Sequence, residues 1–203
     1  MLGPILTILA VSLYGLLHSI LASRWAKSWA EQSFGPVARR VYRLVFNAIG
    51  LLTFLPVILI PGIFPGQTIY QLSGIGLILA TLGQAVAVFI LILGLLQTDP
   101  WHFLGVRQII HQTMDGEQGL VVSGLYRCVR HPLYLAGLLF IWLLPVMTTS
   151  IMVLNLSLSI YIYIGSIFEE KRLQTEFGSA YSEYRTRVPR LLPRFRKCFL
   201  QQS

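Results

Sequence analysis

Three stretches of this chain, Leu2 to Ser23, Leu44 to Thr98 and Pro132 to Phe168, contain no Asp, Glu, Lys or Arg. A helix that crosses a bilayer needs roughly 20 largely apolar residues, because nothing in hydrocarbon satisfies an exposed backbone amide. The first stretch holds one such helix. The second holds two, broken at Pro61, Pro65 and Gly66, and the third is a tight hairpin whose arms meet near Pro145 to Ser150. Charged residues make up 12% of the chain, against about 25% in ordinary soluble domains. The expected fold is therefore an all-α polytopic membrane protein with about five transmembrane helices, spanning about 2–22, 42–60, 70–96, 132–146 and 150–168.

Charge placement orients these spans. Every Lys and Arg falls in one of three segments, Arg24 to Arg43, Arg107 to Arg130 and Lys171 to Lys197, and the alternate loops carry none. By the positive-inside rule the three segments are cytoplasmic, which puts the N-terminus outside and the C-terminus in the cytoplasm. The acidic residues obey the same partition, from Glu31 through Asp99, Asp115 and Glu117 to Glu169, Glu170, Glu176 and Glu183. All ionic chemistry is thus expected on one face, the cytoplasmic one.

The net charge of +8 is explained by topology and by attraction to anionic lipid head groups rather than by nucleic acid. Leu2 to Ala22 lacks a basic start and is followed by its basic residues, so it reads as a retained helix rather than a signal peptide. Cys128 and Cys198 lie in segments assigned to the cytoplasm, where disulfides are not expected, and form no metal motif. Ser23 to Arg40, with Trp25, Lys27 and Trp29, has the composition of a helix in the head-group layer. Gly74, Gly76, Gly83 and Gly94 in the third span suit close helix packing. The chain, 1–203, reads as one domain.

The sharpest local signal is Gly124-Leu-Tyr126-Arg127-Cys128-Val-Arg130-His131-Pro132-Leu133-Tyr134-Leu-Ala-Gly137 at the start of the fourth span. Pro132 suits a first helical turn, and the open amides there, with Arg130 and His131, make a cationic corner suited to a carboxylate. Arginine and tyrosine are also ordinary anchors at a membrane boundary. A second signal is Glu169-Glu170 at the end of the fifth span, where neither dipole nor anchoring logic calls for acids. The hairpin brings the pair to the same membrane depth as Arg130 and His131. A structural ion pair explains part of this arrangement; a zwitterionic, sulfonium-bearing cofactor explains all of it.

In order, Arg130-His131-Pro132-x-Tyr134-x-x-Gly137, Glu169-Glu170-x-x-Leu173, Phe177-Gly178, Tyr181, Tyr184 and Val188-Pro189-Arg190 resemble the isoprenylcysteine carboxyl methyltransferase family, over about Gly119 to Pro193. The resemblance implies a membrane methyltransferase using S-adenosylmethionine, its cofactor region at about 107–193. Carried over by position, Tyr126, His131, Pro132, Leu133, Tyr134, Glu169 and Glu170 line the cofactor pocket, joined by His111, Gln118, Leu120 and Val121 from the preceding loop. Arg130, His131 and Glu169 are the implied catalytic residues. Gly165 stands where eukaryotic members place an arginine for the prenylcysteine carboxylate, which argues against prenylcysteine as acceptor. The N-terminal half, through Gly15, His18-Ser19, Ala22-Ser23, Tyr42-Arg43, Asn47 and Thr98 to Gln108, is similar to a bacterial branch of methanethiol S-methyltransferases and a denitrification-associated membrane family.

These features imply methyl transfer to a small or lipophilic acceptor, either a carboxylate or a thiol; a thiol must first be ionised, and His18, His102 or His111 is available to assist. Two alternatives remain open. Membrane sterol reductases have a similar His-Pro-x-Tyr element and would imply NADPH, and the N-terminal likeness admits a non-enzymatic accessory protein. Besides the donor and acceptor, the expected partners are membrane lipids.

Overall fold

The computed structural model describes residues 2–98 and 119–193. In chain order these form α1 (Leu2–Ala22), α2 (Arg24–Phe34), α3 (Pro36–Ile63), β1 (Thr68–Gln71), α4 (Gly74–Gln97), a 3-10 turn (Gly124–Arg127), α5 (Pro132–Trp142), β2 (Val146–Thr148) and α6 (Thr149–Arg187). Helices α1, α3, α4 and α6 are long and apolar enough to cross a membrane, and α5 is a shorter apolar helix. The protein is an all-α polytopic membrane protein with one two-stranded β1-β2 sheet among the described residues.

The helix limits follow local chemistry. Ser23 starts α2 by accepting from the Ala26 amide at 3.2 Å, and Gly35, at φ 69°, separates α2 from α3. The third span begins at Gly74 rather than near 70, because Thr68–Gln71 is drawn into the sheet. The fourth ends at Trp142 rather than near 146, because Val146–Thr148 forms the opposing strand and the Pro145 carbonyl accepts from Leu72. Its 11 residues rise only about 16 Å, short of the roughly 30 Å hydrocarbon core. The last helix keeps its apolar part to Phe168 and then continues as a polar helix to Arg187.

By packing, the described residues fall into two compact units, one of residues 2–70 and 147–158 and the other of 71–98, 119–146 and 159–193. In the first, α1 and α2 pack on α3, and Val11, Val57 and Leu154 form a core joined by Tyr14, Phe54 and Leu158. Its polar end is knit by short hydrogen bonds: Ser150 donates to the Phe64 carbonyl at 2.6 Å and Thr7 to the Gly3 carbonyl at 2.9 Å. A side chain on Gly3 would collide with both the Phe64 carbonyl and Ser150. On α2, Trp25 and Trp29 are exposed, the disposition expected of head-group anchors.

In the second unit α4 packs on α5 through glycine notches. A Cβ on Gly83 would lie 2.6 Å from Leu143, and one on Gly94 2.7 Å from Leu133. Gly74 and Gly76 make no such contact with another helix. Gln97 at the end of α4 accepts from the Leu125 amide at 3.0 Å and so fixes the 3-10 turn that precedes α5.

The feature that returns the chain to the start of α5 is Gly178, which interrupts α6 at φ 54°, ψ −124°, a region essentially reserved for glycine. Its carbonyl accepts from Gln174 at 2.8 Å, and beyond it Tyr181, Tyr184 and Val188 pack with Leu120, Leu173 and Phe177. A Cβ added at Gly178, or at the helical Gly137, would meet nothing within 4 Å. Gly178→Ala is therefore expected to cost about 1–3 kcal/mol of backbone strain, whereas Gly137→Ala is expected to be neutral or mildly stabilising. Thermal unfolding of both variants in detergent checks this contrast.

Candidate active site

The site is assembled from the segment before α5, the first turn of α5, the polar half of α6 and the strap Val188 to Arg190 that follows it. The strap is held by the backbone: Arg130 donates its amide to the Pro189 carbonyl at 2.9 Å and His131 to the Arg190 carbonyl at 3.2 Å. Successive residues on a helix diverge by about 100°, and Glu169 and Glu170 meet different surroundings. The Glu170 side chain is 4% exposed and that of Glu169 34%.

Glu170 is saturated by protein donors. Its Oε1 accepts from Arg130 Nε at 2.9 Å and Nη2 at 2.7 Å, and from Arg190 Nε at 3.0 Å, while Oε2 accepts from Arg190 Nη2 at 2.7 Å. His131 Nε2 lies 3.3 Å from the same Oε1. Arg130 Nη1 in turn donates to the carbonyls of Arg185 at 2.9 Å and Val188 at 2.5 Å. Burial alone would raise the Glu170 pKa, but the hydrogen bonds and charges of Arg190 and Arg130 outweigh it and hold the carboxyl below its ordinary 4.5.

Glu169 has a different set of neighbours. Tyr134 donates to its Oε2 at 2.6 Å, and His131 Nδ1 stands 3.6 Å from that oxygen. The His131 and Tyr134 rings stack with centroids 5.2 Å apart and planes 9° apart. Burial lowers the His131 pKa from 6.5, against the pull of Glu169 and Glu170, so the ring is neutral at pH 7. Tyr126, half-buried and near Glu169, is pushed up to about 12, and its carbonyl accepts from Tyr184 at 2.7 Å.

Of the expected site residues, Arg130, His131, Tyr134, Glu169 and Glu170 come together as one polar cluster. Pro132 is fully buried beneath it. Leu120 joins the Tyr181, Tyr184 and Val188 cluster, and Val121 is half-buried beside it in sequence. Leu133 instead fills the notch at Gly94 on α4, the consequence of its position one residue from Tyr134 on a helix. His111, Gln118 and His102 lie outside the described residues. His18 belongs to the first unit, where its ring packs against Tyr14 and Phe46.

Arg190 was not among the expected site residues although its Val-Pro-Arg motif is visible in the sequence; only the Gly178 break reveals that it reaches Glu170. The expectation of free thiols is corrected: Cys128 is disulfide-bonded. That expectation rested on compartment, whereas bonding follows from proximity of sulfurs.

Comparison with known proteins agrees in length and character. The sequence model of the NnrU protein family matches residues 6–195. Methanethiol S-methyltransferase 2 of Bradyrhizobium diazoefficiens is 33% identical, over 94% of this chain and 73% of that protein. The methanethiol S-methyltransferase of Pseudomonas deceptionensis is 29% identical over 97% of this chain and 75% of its own length, and that of Crocosphaera subtropica 27% identical over 90% and 72%. No solved structure matches the chain.

Two consequences of the Glu170 cluster are measurable. Arg130→Met removes hydrogen bonds around a buried carboxylate and orphans two carbonyls, and is expected to destabilise the protein by about 3–5 kcal/mol. Because the folded-state pKa of Glu170 is lowered, its stabilisation is complete above about 4.5 and is lost as pH falls through the folded value. Melting temperature against pH in detergent should show this acid loss in the wild type and a smaller one in Glu170→Gln.

Proposed function

We propose that the chain, which belongs to the NnrU protein family, is an integral membrane methyltransferase that takes its methyl group from S-adenosylmethionine. On this reading it acts as one domain, in the inner membrane, with the three basic segments and the site on the cytoplasmic side. The acceptor is small or lipophilic. A thiol is favoured by the names of the methanethiol S-methyltransferases to which the chain is similar.

The observation that carries the proposal is the division of labour between the two glutamates. Glu170 is engaged on both oxygens by Arg130, Arg190 and His131 and is only 4% exposed, so burial closes it to a ligand. Glu169 is a partly exposed carboxylate that, among the described residues, accepts from the Tyr134 hydroxyl and faces His131 Nδ1 through one oxygen, Oε2. An exposed acid held in place at a membrane edge suits the ammonium of a zwitterionic amino acid.

The donor set fits the cofactor. Arg130 is engaged with protein acceptors, so the carboxylate end falls to the first-turn amides of α5 at Leu133 and Tyr134. Tyr126, Leu120 and Val121, with His111 and Gln118 from the preceding loop, supply the remainder of the proposed pocket. When bound, the cofactor supplies a methyl group activated by its sulfonium. The chain's own contribution is to align an acceptor with that methyl group and to exclude water by apolar helices, the means by which an in-line displacement is accelerated.

Calorimetry on detergent-purified protein tests the proposal. S-adenosylhomocysteine is expected to bind, and Glu169→Ala to weaken it tenfold or more, with Lys171→Ala, on the exposed face of α6, as the unaffected control. Binding of NADPH instead would support the reductase-like alternative, and binding of neither ligand by folded protein the accessory one. Topology is checked separately: reporters fused at Gly66 and after Ser203 should read outside and cytoplasmic respectively, and the reverse pattern would overturn the orientation.

A further inference from the structure

His131 lies between two carboxylates that make unequal demands on its ring. Nε2 faces Glu170 Oε1 at 3.3 Å and Nδ1 faces Glu169 Oε2 at 3.6 Å. A neutral imidazole carries one proton, and a nitrogen lone pair directed at an anionic oxygen is repelled more strongly at the shorter distance. The proton therefore resides on Nε2 and the lone pair on Nδ1. Among the described residues, neither neighbour of Nδ1 satisfies it: Glu169 offers only acceptors, and the Tyr134 hydroxyl is committed to Glu169 at 2.6 Å. The ring cannot turn to exchange the two nitrogens freely, since it is 5% exposed and stacked on Tyr134.

We propose that Nδ1 of His131 is the general base of this enzyme, that Glu170 fixes its tautomer, and that the acceptor is a thiol ionised in the site. This rests on the methyl-transfer reading above. Arg130 and Arg190 act as positioning residues: by holding Glu170 from two sides they keep its Oε1 opposite Nε2. In the step, the S–H proton passes to Nδ1 and the sulfur lone pair forms the new bond to the methyl carbon. The bond from methyl carbon to the sulfonium breaks, its electron pair returning to that sulfur, so that two neutral thioethers result. The imidazolium so formed lies between Glu169 and Glu170, which offset its charge, and it returns the proton to water once the products have left. Burial is the largest influence on the titration of His131, and the charged groups acting on it are Glu169, Glu170 and Arg130, with Tyr134 stacked on the ring and Arg190 acting through Glu170.

The wild-type pH profile provides the first test. If the enzyme merely captured thiolate from solution, kcat/KM for an alkanethiol would climb tenfold per pH unit up to the thiol's own pKa. With His131 as base it is expected to level off once the ring is neutral, below or near pH 6.5, the ordinary histidine value. A strongly acidic fluorinated arenethiol, ionised throughout, should show no such limb. A continuous climb with the alkanethiol would overturn the proposal.

The second test is His131→Gln, whose amide can still donate to Glu170 but cannot take a proton. It is expected to bind S-adenosylhomocysteine within about threefold of wild type and to lose roughly a hundredfold or more in kcat/KM for the alkanethiol at neutral pH. Its rate with the arenethiol should fall far less, and the ratio of the two losses reads the base role. Equal loss with both acceptors, or loss of adenosylhomocysteine binding, would assign His131 to positioning or to the cofactor and overturn the base role. Failure of the wild type to bind adenosylhomocysteine would instead refute the methyl-transfer reading itself. Arg190→Lys, which loosens Glu170, is expected to lower the alkanethiol rate severalfold more than the arenethiol rate.

Discussion

The Glu170 carboxylate, held between Arg130 and Arg190, is the interaction on which this structure turns. Those two guanidiniums provide four of its hydrogen bonds, and one of them also secures the carbonyls of Arg185 and Val188. A carboxylate buried to this degree survives only with charge and hydrogen-bond compensation on every side. The compensation comes from two separate parts of the chain, Arg130 and His131 before α5 and Arg190 in the strap after α6. Their meeting places the start of α5 against the end of the apolar part of α6, and it leaves the neighbouring Glu169 free to face outward. The chemistry assigned to Glu169 and His131 is thus a by-product of how Glu170 is satisfied.

The charge-free runs made the helical membrane architecture legible, because the bilayer tolerates few alternatives to apolar helices. The hairpin argument placed Arg130 and His131 opposite Glu169 and Glu170, and these residues do meet. The two short strands were not legible. Thr68–Gln71 and Val146–Thr148 are short segments far apart in sequence, and their pairing depends on tertiary approach rather than on any local period. That pairing shortens α5 at its C-terminal end and delays the start of α4.

The division between the two glutamates was not legible either. Adjacent identical residues carry no local sign of which one turns inward; the answer lies with Arg190, brought back by the break at Gly178. Arg130, expected at the ligand, is spent on Glu170 and on carbonyls for the same reason: once the strap returns, those acceptors lie nearer than any bound molecule. Leu133 illustrates a simpler limit. A motif places a residue in sequence, but helical rotation decides its face, and here that face is the one toward Gly94.

The strap has a consequence for the order of folding. Arg130 Nη1 bonds to the Val188 carbonyl across 58 residues, with the whole of α5, β2 and α6 between them. Closing so long a loop must await placement of every element inside it, and distant contacts of this kind form late. The helices of the second unit can pack through their local glycine notches beforehand, but the Arg190 half of the clamp on Glu170 exists only after the strap has docked. On the proposed mechanism, inserted chains whose strap has yet to dock lack the full clamp on Glu170, which separates competence in time from residence in the membrane.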